Sequence, residues 1–207
     1  MRKWGASMIN GPTTRISPDQ VAEQEEFCEK INELLAAQPR EHLAYVDTYG
    51  CQQNEADSER IRGYLGSMGY GFTQDENAAD VIVINTCAIR EHAEDRVFGN
   101  IGALVHAKRR HPGQIICLCG CMAQEPSVTE KIKNSYRHVD LVFGPHALWR
   151  FPELLYRVLT RRGRVFETPD EAGSIAEGIP VVRQDGVKAW VSIMYGCNNF
   201  CTYCNVP

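Results

Sequence analysis

Val81-Ile-Val-Ile-Asn-Thr-Cys87 is the stretch on which the fold turns. Four consecutive apolar residues, all β-branched, read as a strand covered on both faces, as in a parallel sheet held between helices. A helix over about 91–110 follows and ends before Pro112. The same unit recurs on either side. Upstream, Leu43-Ala-Tyr-Val-Asp-Thr48 reads as a strand and 55–68 as a helix stopped by Gly69. Downstream, Ile115-Ile-Cys-Leu-Cys119 is another buried strand, with a helix near 127–134. Leu141-Val-Phe143 reads as a short fourth strand and 146–160 as a closing helix.

Such β–α alternation with short connections implies a doubly wound parallel sheet, because right-handed crossovers place helices on both faces. Residues 43–160 are therefore expected to form one flavodoxin-like α/β domain. Ahead of it, residues 1–42 read as a disordered tail and an amphipathic helix. Ser17-Pro18-Asp19-Gln20 supplies an N-cap, a proline at the first helical position and a residue able to close a capping box. Val21, Phe27, Ile31, Leu34 and Leu35 follow at helical spacing until Pro39, with Cys28 beside the stripe as a packing residue. Residues 161–188 show no periodicity and read as a linker. Residues 189–207 begin something new: Ala189-Trp-Val-Ser-Ile-Met-Tyr195 alternates like a strand, and Gly196 permits a sharp exit.

The composition bounds the function. The 207 residues carry 43% hydrophobic side chains and a net charge of −4, ordinary for a globular chain and without a stripe of cations for nucleic acid. Lys108-Arg109-Arg110-His111 and Arg161-Arg162-Gly163-Arg164 read as solvated helix ends. The N-terminus has no apolar signal region and no run approaches membrane-spanning length, so a cytoplasmic location is expected. Nine cysteines in such a chain read as reduced metal ligands rather than disulfides.

The cysteines fall into two sets. Cys197-Asn-Asn-Phe-Cys201-Thr-Tyr-Cys204 spaces three thiols as C-x3-C-x2-C, so a coiled loop can point all three at one centre. Soft thiolates at that spacing select iron–sulfur clusters or zinc, and a three-ligand site leaves one position open for chemistry. Cys51, Cys87 and Cys121 each stand just past the end of a strand. In an open parallel sheet those ends form one crest, where ligands bind. Helix N-termini there are expected to favour the thiolate. Cys117 and Cys119 stand close to Cys121 and compete with it as the third ligand. As interior strand residues they suit the core better, and Cys121 is the choice.

Four segments together resemble the methylthiotransferase family. Three of them, Thr48-Tyr-Gly-Cys51-Gln-Gln-Asn54-Glu-Ala-Asp57-Ser58-Glu, Asn85-Thr-Cys87-Ala-Ile-Arg90-Glu91 and Gly120-Cys121-Met-Ala-Gln124, are similar to signatures of its N-terminal domain. The fourth, Tyr195-Gly-Cys197-Asn-Asn-Phe-Cys201-Thr-Tyr-Cys204, is similar to its radical S-adenosylmethionine (SAM) motif. Within the family the chain looks most like the MiaB branch, which modifies tRNA. Asn205 departs from the family, which more often has an aliphatic residue there.

The resemblance implies a radical SAM transferase that replaces the C2 hydrogen of an N6-isopentenylated adenine, beside the anticodon of a tRNA, with a methylthio group. It implies two [4Fe–4S] clusters and SAM as cofactors. Cys197, Cys201 and Cys204 would hold the cluster that binds SAM and yields the 5′-deoxyadenosyl radical. Cys51, Cys87 and Cys121 would hold an auxiliary cluster carrying the sulfur to be inserted. A flavodoxin- or ferredoxin-type electron donor, a tRNA partner and a monomeric state come with it. The family continues into a barrel and an RNA-gripping TRAM domain, so the 207 residues alone are expected to be a fragment without activity. Two other classes compete: a flavodoxin-like FMN module and a structural zinc protein. Against FMN, no Ser/Thr/Gly-rich phosphate loop follows the first strand; Cys51-Gln-Gln-Asn54 stands there instead.

Overall fold

The computed structural model describes residues 14–88, 91–161, 163–169, 174–183, 186–192 and 201–202. In chain order these form β1 (Thr14–Arg15), α1 (Pro18–Ala36), β2 (Leu43–Tyr49), α2 (Gln52–Ser67) and β3 (Gly71–Phe72). Next come β4 (Val81–Thr86), α3 (Glu91–Arg110), β5 (Ile115–Gly120), α4 (Cys121–Gln124), α5 (Pro126–Ser135) and β6 (Leu141–Phe143). A 3-10 turn (Pro145–Arg150) leads into α6 (Phe151–Arg161), followed by β7 (Val165–Glu167) and β8 (Ser174–Ile175).

Strand β4 shows why the chain folds this way. Val81 and Val83 face one core with α1, α2 and α6, while Ile82 and Ile84 face a second core with α3 and α5. None of the four is more than 1% exposed. Burying each contributes roughly 1.5–3 kcal/mol, so a strand of continuous apolar residues is stable only with helices on both sides.

The main sheet has six strands in the order β3-β2-β4-β5-β6-β7, all parallel. This is the flavodoxin-like doubly wound order with one strand added at an edge. The order reverses between β2 and β4, where successive crossovers leave in opposite directions and open a crevice at the carboxyl ends. Register matters more than order here. Tyr49 pairs with Thr86, and Thr86 with Gly120, so β2, β4 and β5 end in one row.

The helix ends follow the expected chemistry. Ser17 Oγ accepts from the Gln20 backbone N–H (3.2 Å), and Gln20 Oε1 accepts from the Ser17 N–H (3.0 Å), which completes the capping box. Helix α1 buries Val21, Gln24, Cys28, Ile31 and Leu35, whereas Leu34 is exposed. The cations of the first basic cluster lie in the last turn of α3. Arg164, in the second, donates to carbonyls of Ile132, Lys133 and Tyr136 at the end of α5.

Several segments differ from the sequence expectation. Strands β3 and β7 extend the sheet beyond the four strands expected, and β7 lies inside residues 161–188, whose sequence reads as a linker. With two and three residues they are too short to show a period. Residues 14–16, expected to be disordered, include β1, which pairs with β8, and Ile16, which is 7% exposed. Helix α2 begins at Gln52, directly after Cys51, rather than at residue 55. Of the strand expected over 189–195, residues 189–192 belong to no strand, and 193–195 lie outside the described residues.

Candidate metal centre

Three cysteines follow the aligned strand ends. Cys51 comes two residues after Tyr49, Cys87 directly after Thr86, and Cys121 directly after Gly120. Adjacent strands lie about 4.8 Å apart, so β2 and β5 flank β4 within about 10 Å and Cys87 sits between the other two. All three are free thiols. Cys87 is buried, while Cys51 and Cys121 are half-buried.

Glycine makes two of these turns possible. Gly120 has φ +93°, and a β-carbon there would stand 2.2 Å from the Thr86 carbonyl oxygen. At Gly50 a β-carbon would stand 2.2 Å from Asn54 Oδ1. That amide oxygen accepts the Cys51 backbone N–H at 3.2 Å and lies 3.4 Å from its Sγ.

Beneath the thiols runs a buried amide network. Asn54 Nδ2 donates to Asn85 Oδ1 (3.0 Å) and to the Thr86 carbonyl (3.1 Å). Asn85 Nδ2 donates back to the Asn54 carbonyl (2.8 Å) and to Ser58 Oγ (3.0 Å). Ser58 in turn shares a 2.8 Å hydrogen bond with Thr48. Thr86 Oγ1 donates to the Cys119 carbonyl at 2.7 Å, tying β4 to β5. The turns carrying Cys51, Cys87 and Cys121 are thus fixed to one another. Asn54 and Asn85 received no role from the sequence, although an asparagine closing an apolar strand was the available signal. Replacing Asn85 with Ala should remove three buried hydrogen bonds, those to Asn54 Nδ2, the Asn54 carbonyl and Ser58 Oγ, and lower stability by about 3 kcal/mol. A urea midpoint unchanged from wild type would contradict this.

The electrostatics correct one expectation. Burial pushes the Cys121 thiol up to about 11, and negative charge at Cys87, Asp57 and Cys51 acts in the same direction. A thiolate-favouring helix terminus was expected; α4 has only four residues, and desolvation outweighs it. Asp57 is itself raised to about 6 by burial, opposed by Arg60 and by the hydrogen bond from Gln53. Cys121 therefore feels both other crest thiols, the arrangement a shared cationic centre resolves, since a coordinating thiol gives up its proton to the metal. The donor set fits an iron–sulfur cluster: three soft ligands around one end of three strands. Among the described residues no three His, Cys, Asp or Glu side chains stand close enough for a single metal ion. The thiols of a cluster surround a cube of iron and sulfide and so stand further apart.

The other cysteines are placed as follows. Cys117 and Cys119, the competitors of Cys121, are 0% and 1% exposed within the core shared by α1, α2 and α6, where burial holds both thiols well above the usual range. Cys28 packs in that same core. Cys201 is exposed, and Cys197 and Cys204 lie outside the described residues. No helix among the described residues is long and apolar enough to cross a membrane.

Residues 43–144 match the family model described as "Uncharacterized protein family UPF0004". A protein of Acetivibrio thermocellus named tRNA-2-methylthio-N(6)-dimethylallyladenosine synthase is 47% identical over 196 residues, 93% of this chain and 41% of that protein. The same name belongs to a protein of Alkaliphilus oremlandii, 47% identical over 93% of this chain and 40% of the relative. It belongs also to one of Staphylococcus saprophyticus, 51% identical over 78% of this chain and 32% of the relative. The chain thus spans about two fifths or less of the length of these relatives. With the UPF0004 match lying on the sheet that carries the three crest cysteines, the chain belongs to the methylthiotransferase family.

Proposed function

We propose that the chain is part of a radical SAM transferase of the MiaB type, one that places a methylthio group on C2 of N6-isopentenylated adenine in tRNA. The observation that carries this reading is the row Tyr49–Thr86–Gly120, which brings Cys51, Cys87 and Cys121 to one crevice. The sequence similarity to proteins named for that product supports the substrate class.

In this reading Cys51, Cys87 and Cys121 hold an auxiliary [4Fe–4S] cluster, and Cys197, Cys201 and Cys204 hold the one that binds SAM. When bound, these cofactors supply the reducing electron, the methyl group and the sulfur. The protein's own part is placement. Gly50 and Gly120 let the backbone approach the crest closely, and the Asn54–Asn85 network sets the spacing of the turns. Met122 and Ala123, directly after Cys121, are buried in the core with α3 and α5 and so anchor the third turn from below. Three protein thiols would leave one iron of each cluster without a protein ligand, open to SAM in one and to sulfur in the other. Clusters of low potential belong in a reducing compartment, which suits a cytoplasmic enzyme served by a flavodoxin- or ferredoxin-type electron donor.

Disrupting the gene for this chain should remove 2-methylthio groups from isopentenylated tRNA adenine, read by mass spectrometry of digested tRNA. The wild-type gene should restore them, and one encoding Cys201→Ala should not. Normal methylthio content after disruption, or restoration by the Cys201→Ala gene, would contradict the proposal.

A further inference from the structure

Glycine in the middle of a helix costs about 1 kcal/mol relative to alanine, so a buried one is retained for a reason of packing. Gly63, in the second half of α2, shows that reason. A β-carbon there would stand 2.0 Å from the carbonyl oxygen of Pro180, 2.3 Å from its carbon and 2.8 Å from the Val181 nitrogen. The nearest atoms are main chain, which cannot swing aside like a side-chain tip. The strap of residues 174–183 and 186–192 is held by backbone and side chain together, with Ile179 packed against the core shared by α1, α2 and α6. Its Val182 N–H donates to the Glu59 carbonyl at 3.0 Å, while Val181, Val182 and Val191 stay exposed.

Contacts made along α2 give the strap a direction. Pro180 lies against Gly63, Val182 against Glu59, and Ser192 against the first turns of the helix. Arg60 Nη2 donates to Ser192 Oγ (3.2 Å), which donates to Gln53 Oε1 (3.4 Å). Asp57 fixes both partners, accepting from Gln53 Nε2 (3.1 Å) and Arg60 Nη1 (3.0 Å). The strap thus runs back toward the end of α2 that bears Cys51. Behind Pro180 it is anchored by β8 on β1 and by the 2.7 Å Arg15–Glu177 pair. Cys197 is five residues beyond Ser192, and five residues reach at most about 18 Å.

We propose that this strap is a docked spacer. Its seat, the Gly63 notch with the Gln53–Asp57–Arg60 bracket, sets how far the second cysteine set stands from the first. Gly63 and Arg60 are then positioning residues, and this spacing role rests on the two-cluster reading above. The seat also explains why α2 carries Gly63 rather than a better helix former.

Two matched glycines test it. Gly66, one turn on, has only Val182 Cγ2 near, at 4.0 Å, so Gly66→Ala gains the same helix propensity without striking the strap. In Gly63→Ala, trypsin should cut after Arg183 and Lys188 about tenfold faster than in wild type, the release of a backbone hydrogen bond and its packing. The melting temperature should not fall, and Gly66→Ala should be cut at the wild-type rate. Ser192→Ala, which cannot disturb the sheet, should loosen the Lys188 site in the same direction. After iron loading and reduction, both glycine variants should hold wild-type iron. Gly63→Ala alone should lose the magnetic interaction between the two clusters in electron paramagnetic resonance. Wild-type cutting of Gly63→Ala, or faster cutting with that interaction intact, would overturn the proposal. Faster cutting in a chain whose wild type loads iron on only one cysteine set would uphold the seat and overturn the two-cluster reading.

Discussion

Alanine at Cys51, Cys87 and Cys121 together is expected to remove about half of the iron that the anaerobically loaded chain holds, because one of the two proposed [4Fe–4S] clusters would lose every protein ligand. Among the described residues no neighbour can substitute. Cys117 and Cys119 are buried in the core with strongly raised thiols, and their strand cannot turn them to the crest without breaking its pairing with β4 and β6. Asp57 lies close enough to act on Cys121, yet its carboxylate is engaged by Gln53 and Arg60. Product formation in the cell should fall to the level of the gene disruption. Cys28→Ala is the control: it removes a buried thiol from α1 and should cost packing stability but no iron. Full iron in the triple variant would show that the crest is not a metal site.

Gly120→Ala should cause the largest loss of stability of any single methyl addition near the crest. At φ +93° an L side chain is strained by about 1–2 kcal/mol. The added methyl would also meet the Thr86 carbonyl oxygen at 2.2 Å, Asn85 Oδ1 at 2.5 Å and the Thr86 nitrogen at 2.8 Å. Those atoms belong to β4 and the buried amide network and have nowhere to move. Strain and overpacking together come to about 3 kcal/mol, or a fall in melting temperature of about 10 °C for a chain of this size. Gly99→Ala in α3, where a β-carbon meets nothing within 4 Å, should leave stability unchanged or raise it. Equal melting of the two variants would contradict the geometry of the β5 turn.

The parts of the fold that were legible in the sequence are those where burial on two sides leaves a continuous apolar mark. Strands β4, β5 and β6 are of this kind; half-buried β2 and the N-terminus of α1 were legible by other marks, strand-forming residues ahead of a helical stretch and a capping sequence. Short edge strands leave no such mark: β3 pairs through two residues and β7 through three, and each depends on a neighbour already in place. The crest cysteines could be read because each followed a strand at a turn. Their support could not. Asn54 and Asn85 are 31 residues apart and meet only once β2 and β4 are aligned. Gly63 is a sharper case, since in sequence a helix glycine signals only weakness. Its use appears when the strap, more than a hundred residues later, lies across it.

The most direct measurement removes the second cysteine set and asks what the crest does alone. With Cys197, Cys201 and Cys204 all replaced by alanine, the chain is loaded with iron and sulfide without oxygen. Iron is then counted and its state read by Mössbauer spectroscopy. About four iron atoms per chain are expected, all in one [4Fe–4S] cluster held by Cys51, Cys87 and Cys121. A chain that holds no iron, or a single zinc ion in its place, would contradict it.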